Sequence, residues 1–157
     1  MQLRTNTFDL WIFHRRESEP RYLLFYTSQE KADRWFRGHR FWQTAPGGMI
    51  LDDESIEDAF ARVIRELNLT SKGVWAAECT YTIWNLKRAN LEMIPVFASE
   101  VQEPKEVPLS AGVSDFGWFT AGECQERLFF RGLKEGLRQV RAYVSEVPEP
   151  AASLRMM

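Results

Sequence analysis

Cysteine, histidine and net charge are all scarce in this 157-residue chain. Its two cysteines, Cys79 and Cys124, stand alone. They supply neither a disulfide framework nor a Cys-x-x-C metal site, and they read as reduced, buried thiols. The two histidines, His14 and His39, are far apart in sequence and read as solvated or satisfied side chains rather than a metal pair. Twenty Lys and Arg against twenty-two Asp and Glu leave a formal charge of −2. That balance excludes a general binder of polymeric nucleic acid, although a local basic patch can still pair with a phosphate. No run of about eighteen apolar residues could span a bilayer. No basic-then-apolar leader opens the chain, because Asp9 interrupts the first hydrophobic run. The expectation is a cytoplasmic protein with no membrane partner.

Aromatic surface, by contrast, is abundant: six Trp, eleven Phe and four Tyr in a chain that is 45% hydrophobic and 27% charged. This is the composition of an ordinary globular domain, and a chain of this length buries about 70% of its unfolded surface. There is no internal repeat. One domain is expected over residues 1–147, and 148–157, beginning at Pro148 and Pro150, is expected to be a flexible tail.

Periodicity organises the rest. Thr7 to Phe13 and Arg21 to Tyr26 are rich in strand formers and read as a hairpin. Residues 28–40 read as a loop or a short helix. From Ser55 to about Leu69 the pattern is helical: Ser55 and Asp58 have capping-box spacing. At about 100° per residue, Ile56, Ala59, Phe60, Val63, Ile64 and Leu67 fall on one apolar arc. Strands are expected from Val74 to Trp84, Leu91 to Val101 and Phe116 to Phe119, then helices over 121–128 and 129–144. These elements predict an α+β fold, an α/β/α sandwich around a mixed sheet.

The chemistry concentrates in Trp42-Gln43-Thr44-Ala45-Pro46-Gly47-Gly48 and the helix after it. A Pro-Gly-Gly turn lets backbone approach a ligand closely. Acidic residues at the helix start suit Mg²⁺ beside a phosphate, or they are simply a solvated helix N-terminus. Gly48, Glu54, Arg62 and Glu66 then resemble the box of the Nudix (MutT-like) hydrolases, G-x5-E-x7-R-E-U-x-E-E-x-G-U, with Ile64 at the first aliphatic position U. Four of the seven fixed letters match. Val63 and Leu67 stand where that family has glutamates, and Leu69 where it has glycine. Trp42-Gln43, Pro46-Gly47, Ser55 and Ala59 are further customary neighbours of the box.

The resemblance implies metal-assisted water attack on a nucleoside diphosphate-linked or (deoxy)nucleoside triphosphate-like molecule, with Mg²⁺ or Mn²⁺ as the cofactor. It implies that Gly48 lends a carbonyl and Glu66 a carboxylate to the metal, and that Arg62 pairs with Glu54 and Glu66. With two of the three metal-binding glutamates replaced, metal is expected to be weakly held or to depend on the substrate, and activity to be weak or altered. The alternative is a protein that binds a nucleotide or pterin without hydrolysing it. Some members place a catalytic acid in a later loop, for which Asp115 is preferred over Glu103 and Glu106. Arg37, Arg40, Trp42, Gln43 and Gly47 are candidates for binding the rest of the ligand. Phe41-Trp42-Gln43 is also similar to the branch acting on dihydroneopterin triphosphate. A homodimer is a candidate partner arrangement; Gly132 and Gly136, at i,i+4 in the last helix, allow close packing but do not by themselves imply a dimer.

Overall fold

The computed structural model describes all residues, Met1–Met157. Seven strands form one mixed sheet: β1 (Leu3–Arg4), β2 (Asp9–His14), β3 (Arg21–Thr27), β4 (Trp42–Gln43), β5 (Ser71–Asn85), β6 (Asn90–Val101) and β7 (Val113–Thr120). The helices are α1 (Gln29–Trp35), α2 (Ile56–Glu66), α3 (Ala121–Arg127) and α4 (Arg131–Val140), the last extended by a wider turn over Arg141–Ser145. β6 runs parallel to β1 and β2 and antiparallel to β5. β3 pairs antiparallel with β7 along its length; on its other edge it meets β2 at its start and β4 at its end.

Every residue of β2 is buried. Alternate side chains go to opposite faces, and both faces are covered, which erases the usual polar alternation. Leu10 and Ile12 pack with Leu23, Phe25 and Phe97 under α2, while Trp11 and Phe13 pack with Tyr22, Leu24 and Val96 under α3 and α4. The result is the expected α/β/α sandwich.

α2 begins at the expected capping box: Ser55 Oγ accepts from Asp58 N, and Asp58 accepts from Ser55 N. It ends at Glu66, earlier than the apolar pattern suggests. Asn68 takes a left-handed φ of 58° and turns the chain, so Leu69 can be a buried apolar residue where the box has glycine. The 28–40 segment contains the short helix α1, capped by Ser28.

A Cβ on Gly132 would lie 2.2 Å from Tyr81 Cδ2, and one on Gly136 would lie 3.3 Å from Trp11 Nε1. These glycines serve contacts of α4 with its own sheet. The last residues, expected as a flexible tail, lie against β5. Met156 N donates to Val74 O at 2.7 Å, Val74 N donates to Met157 O at 2.9 Å, and the Arg155 guanidinium sits 5.2 Å from the Trp75 ring centre. A tail with two backbone partners and a cation over an indole has local reasons to stay in place. No helix is long and apolar enough to cross a membrane.

Candidate active site

The turn that enters α2 is built around Arg62. Its Nε donates to Glu54 Oε2 at 2.9 Å, and its Nη2 donates to Glu54 Oε1 at 3.1 Å and to Met49 O at 2.5 Å. Its Nη1 reaches Gly47 O at 3.3 Å. Glu54 also accepts from Leu51 N at 3.0 Å. The guanidinium beside it, helped by that backbone donor, holds its carboxyl below the usual carboxylate range. Two of the box residues, Glu54 and Arg62, thus form a brace that fixes the turn: their two-pronged ion pair is shielded from solvent, with only 14% and 13% of the two side chains exposed.

Glu66, one helical turn after Arg62, is different. Its Oε2 is 4.0 Å from Arg62 Nη1, and 60% of its side chain is exposed. It faces a cleft of about 440 Å³ that Lys31, Gly47, Val63, Leu67 and the 108–111 segment also line.

The two glycines are placed differently. Gly48 O accepts from Phe8 N at 2.9 Å, and a Cβ at Gly48 would lie 2.3 Å from Phe8 O. Its backbone is committed to closing the turn onto the start of β2. Gly47, with φ 83°, is the residue on the cleft: a Cβ there would be 3.8 Å from Glu66 Oε2. Both carbonyls of the pair are engaged inside the turn: Gly48 O by Phe8 N, and Gly47 O by Met49 N at 2.7 Å and Arg62 Nη1 at 3.3 Å.

A protein-held Mg²⁺ or Mn²⁺ does not fit these residues. Val63 and Leu67, at the positions of the missing glutamates, are 1% and 4% exposed and belong to the core under α2. Glu54 is already taken by Arg62, and no group of three or more His, Cys, Asp or Glu side chains is placed to hold a metal. One carboxylate and a backbone carbonyl fall short of the oxygen donors a hard divalent cation requires.

The other candidate residues separate. Asp115 is the register partner of Tyr26, whose ring lies 5.0 Å from that of Trp42 on the α3–α4 side. Partners in register share a face, so Asp115 is on the side of the sheet opposite Glu66, and its Oδ1 accepts from Phe116 N at 2.8 Å. Arg40 lies over Tyr26 with its guanidinium carbon 4.3 Å from the ring centre, and it donates to Thr27 O and Ser114 Oγ at 2.9 and 2.6 Å. Trp42 packs edge-on to Phe119. Arg37 is exposed beyond α1 with a φ of 53°. Gln43, paired with Phe25, goes to the α2 face, and its Nε2 is buried without a partner. Neither Arg40 nor Trp42 lines the cleft with Glu66.

Sequence reading misses Lys31 and the 108–111 segment, since nothing local marks a lysine of a short helix as facing a loop some 80 residues later. His14 is buried and accepts from Arg16 N at 3.2 Å, a satisfied histidine. Cys124 is buried, Cys79 is half-buried, and both are free thiols.

A mixed sheet between helical layers, with a glycine turn feeding a capped helix on one face, is the Nudix fold, and this chain has it. A candidate Nudix hydrolase from Listeria monocytogenes is 18% identical, with a TM-score of 0.68 over 96% of this chain and 99% of its own. The Ap4A hydrolase of C. elegans, solved as a binary complex, is 17% identical and superposes with a TM-score of 0.66 over 94% of this chain and 100% of its own. The Nudix domain of Shewanella oneidensis NrtR, solved with ADP-ribose, is 16% identical, with a TM-score of 0.66 over 90% and 88% of the two chains. No family model matches the sequence, and no curated protein matches it.

Proposed function

We propose that this chain is a Nudix-type hydrolase of a small nucleoside-diphosphate or triphosphate-like molecule, bound in the cleft beside Glu66, with turnover well below that of a full-box enzyme. The observation that carries this reading is the braced turn: Gly47, Glu54 and Arg62 hold it so that Glu66 faces a cleft of small-molecule size. Two neighbours of the same fold are an Ap4A hydrolase and a domain solved with ADP-ribose, which share the nucleoside-diphosphate unit.

In this reading Arg62 positions the turn and Glu66 accepts a proton from water near phosphorus, assistance worth about 10²–10⁴ in rate. Val63 and Leu67 keep the cleft floor dry. Any divalent cation would have to take most of its oxygens from the ligand's phosphates, with Glu66 the one carboxylate at hand in the cleft. Asp115 has no part at this cleft.

The test is phosphate and pyrophosphate release from nucleoside triphosphates, dinucleotides, nucleotide sugars and dihydroneopterin triphosphate, with Mg²⁺, Mn²⁺ or EDTA. Turnover lost in Glu66→Ala is the expected result, and silence across the panel overturns it. A second reading, binding of a nucleotide or pterin without hydrolysis, is motivated by one observation: the two lost carboxylate positions are part of the packed core. It predicts thermal stabilisation by such ligands in EDTA, with no turnover.

A further inference from the structure

The cleft holds a cation that the box does not supply. Lys31 lines it together with Glu66, yet Lys31 Nζ makes no ion pair or hydrogen bond, and none of the chain's ten ion pairs includes it. Glu66 pairs instead with Arg62, and Asp33, the nearest acid along α1 after Lys31, accepts from Gln29 Nε2 at 2.9 Å. The side chain is held in this direction. Ser28 Oγ accepts from Lys31 N at 3.1 Å, Ser28 N donates to Gly112 O at 2.9 Å, and Lys31 Cδ lies 3.0 Å from where a Gly112 Cβ would be. The aliphatic stem thus lies across Gly112, whose φ of 97° excludes most other residues, and its Nζ lies 3.8 Å from the same point, on the cleft that the 108–111 segment also lines.

Desolvation alone, with no counter-charge to offset it, pushes the lysine pKa down. A cation kept partly out of water without a partner is stabilised when an anion enters, and an apolar floor such as Val63 and Leu67 strengthens that attraction by lowering the local dielectric. Gly47, without a side chain, leaves the opposite wall open for an oxyanion to approach backbone.

We propose that Lys31 is the charge-neutralising group of this cleft and binds the diphosphate of the ligand without a divalent metal. The inference rests on the cleft being the ligand site, and it replaces the metal rather than adding to it. Glu66 then opposes the bound anion electrostatically, the reverse of its part in a metal-centred site.

Calorimetric titration of the full chain with inorganic pyrophosphate separates the two arrangements. In EDTA, binding is expected in the natural protein, weakened at least tenfold in Lys31→Met, kept within a few-fold in Lys31→Arg, and tightened in Glu66→Gln. Lys31→Met keeps the stem over Gly112, and its unfolding temperature should equal or exceed that of the natural protein, which distinguishes a lost anion contact from a damaged fold. Binding that appears only with Mg²⁺ and vanishes in Glu66→Gln overturns the inference and leaves the hydrolase reading standing. Affinity unchanged in Lys31→Met also overturns it. No binding of pyrophosphate under any condition overturns it as well, and turnover in the substrate panel then decides the hydrolase reading separately.

Discussion

Two carboxyl groups flank the glycine turn from opposite faces of the sheet, and their surroundings could hardly differ more. On the α2 face Glu66 stands largely in solvent with one guanidinium at 4.0 Å. On the α4 face Asp9 is buried, accepts from Tyr81 Oη at 2.5 Å and from Thr44 Oγ1 at 3.3 Å, and Tyr81 in turn lies against Gly132 of α4. Asp9 is the group into which the fold has built partners, and it ties β2, β5 and the approach to the turn together. Glu66 keeps only the Arg62 guanidinium at 4.0 Å, and Lys31 has no partner. A dense polar network here marks structure, and ligand chemistry is to be sought where charged groups line an opening with their valences unspent.

The sharpest way to break this contrast is to restore the acidic box. Val63→Glu, although it makes the helix more like the family pattern, places a carboxylate at a 1% exposed position among Phe8, Phe60 and Phe97. It should cost about 4 kcal/mol of stability, measured by urea unfolding, because the charge is desolvated or must take up a proton. Next in size, Gly48→Ala drives a Cβ against Phe8 O and should cost about 3 kcal/mol by the same measurement.

Asp9→Asn tests the buried member of the pair through pH. Burial pushes the Asp9 carboxyl from 3.8 to about 6. Between those values the folded chain keeps a proton that the unfolded chain has released, so stability falls as pH rises through the window. The asparagine variant should lose this slope and be more stable than the natural protein by up to about 2 kcal/mol above pH 6, read from unfolding curves across pH 4–8. Smallest of all, Glu66→Ala should change stability by less than about 0.5 kcal/mol, because an exposed pair at this spacing contributes little. Its effect should appear instead in ligand titrations. A large loss of stability in this variant would erase the distinction between the two acids.

Much of this architecture is legible in the chain before any coordinates. Ser55 and Asp58 fix where α2 starts, and the arc from Ile56 to Ile64 fixes which side it buries, because capping and helical periodicity are local. The box spacing likewise locates the brace, since Arg62 reaches Glu54 within one loop and helix. What local pattern cannot supply is parity and long-range meeting. Asp115 looks as eligible as any loop acid until its pairing with Tyr26 sends it to the far face, and a register irregularity between Tyr26 and Thr27 makes that parity impossible to count along the strand. Two-residue strands such as β1 and β4 are too short to carry a period at all. Gly47 and Gly48 are indistinguishable as letters and are separated only by which carbonyl Phe8 engages. Lys31 enters the site through Gly112, far along the chain.

The docking of residues 155–157 against Val74 and Trp75 has a consequence for how copies of this protein meet one another. β5 is the outermost strand on its side of the sheet, and an open edge offers unpaired amide and carbonyl groups as a template for adding a foreign strand. The N-terminal part of that edge is already occupied from within the chain. Farther along, Glu78 breaks the run with a φ of 50° beside an irregularity in the pairing. Cover at one end and a kink in the middle leave no long flat edge for edge-to-edge association, which protects against the first step of sheet-driven aggregation.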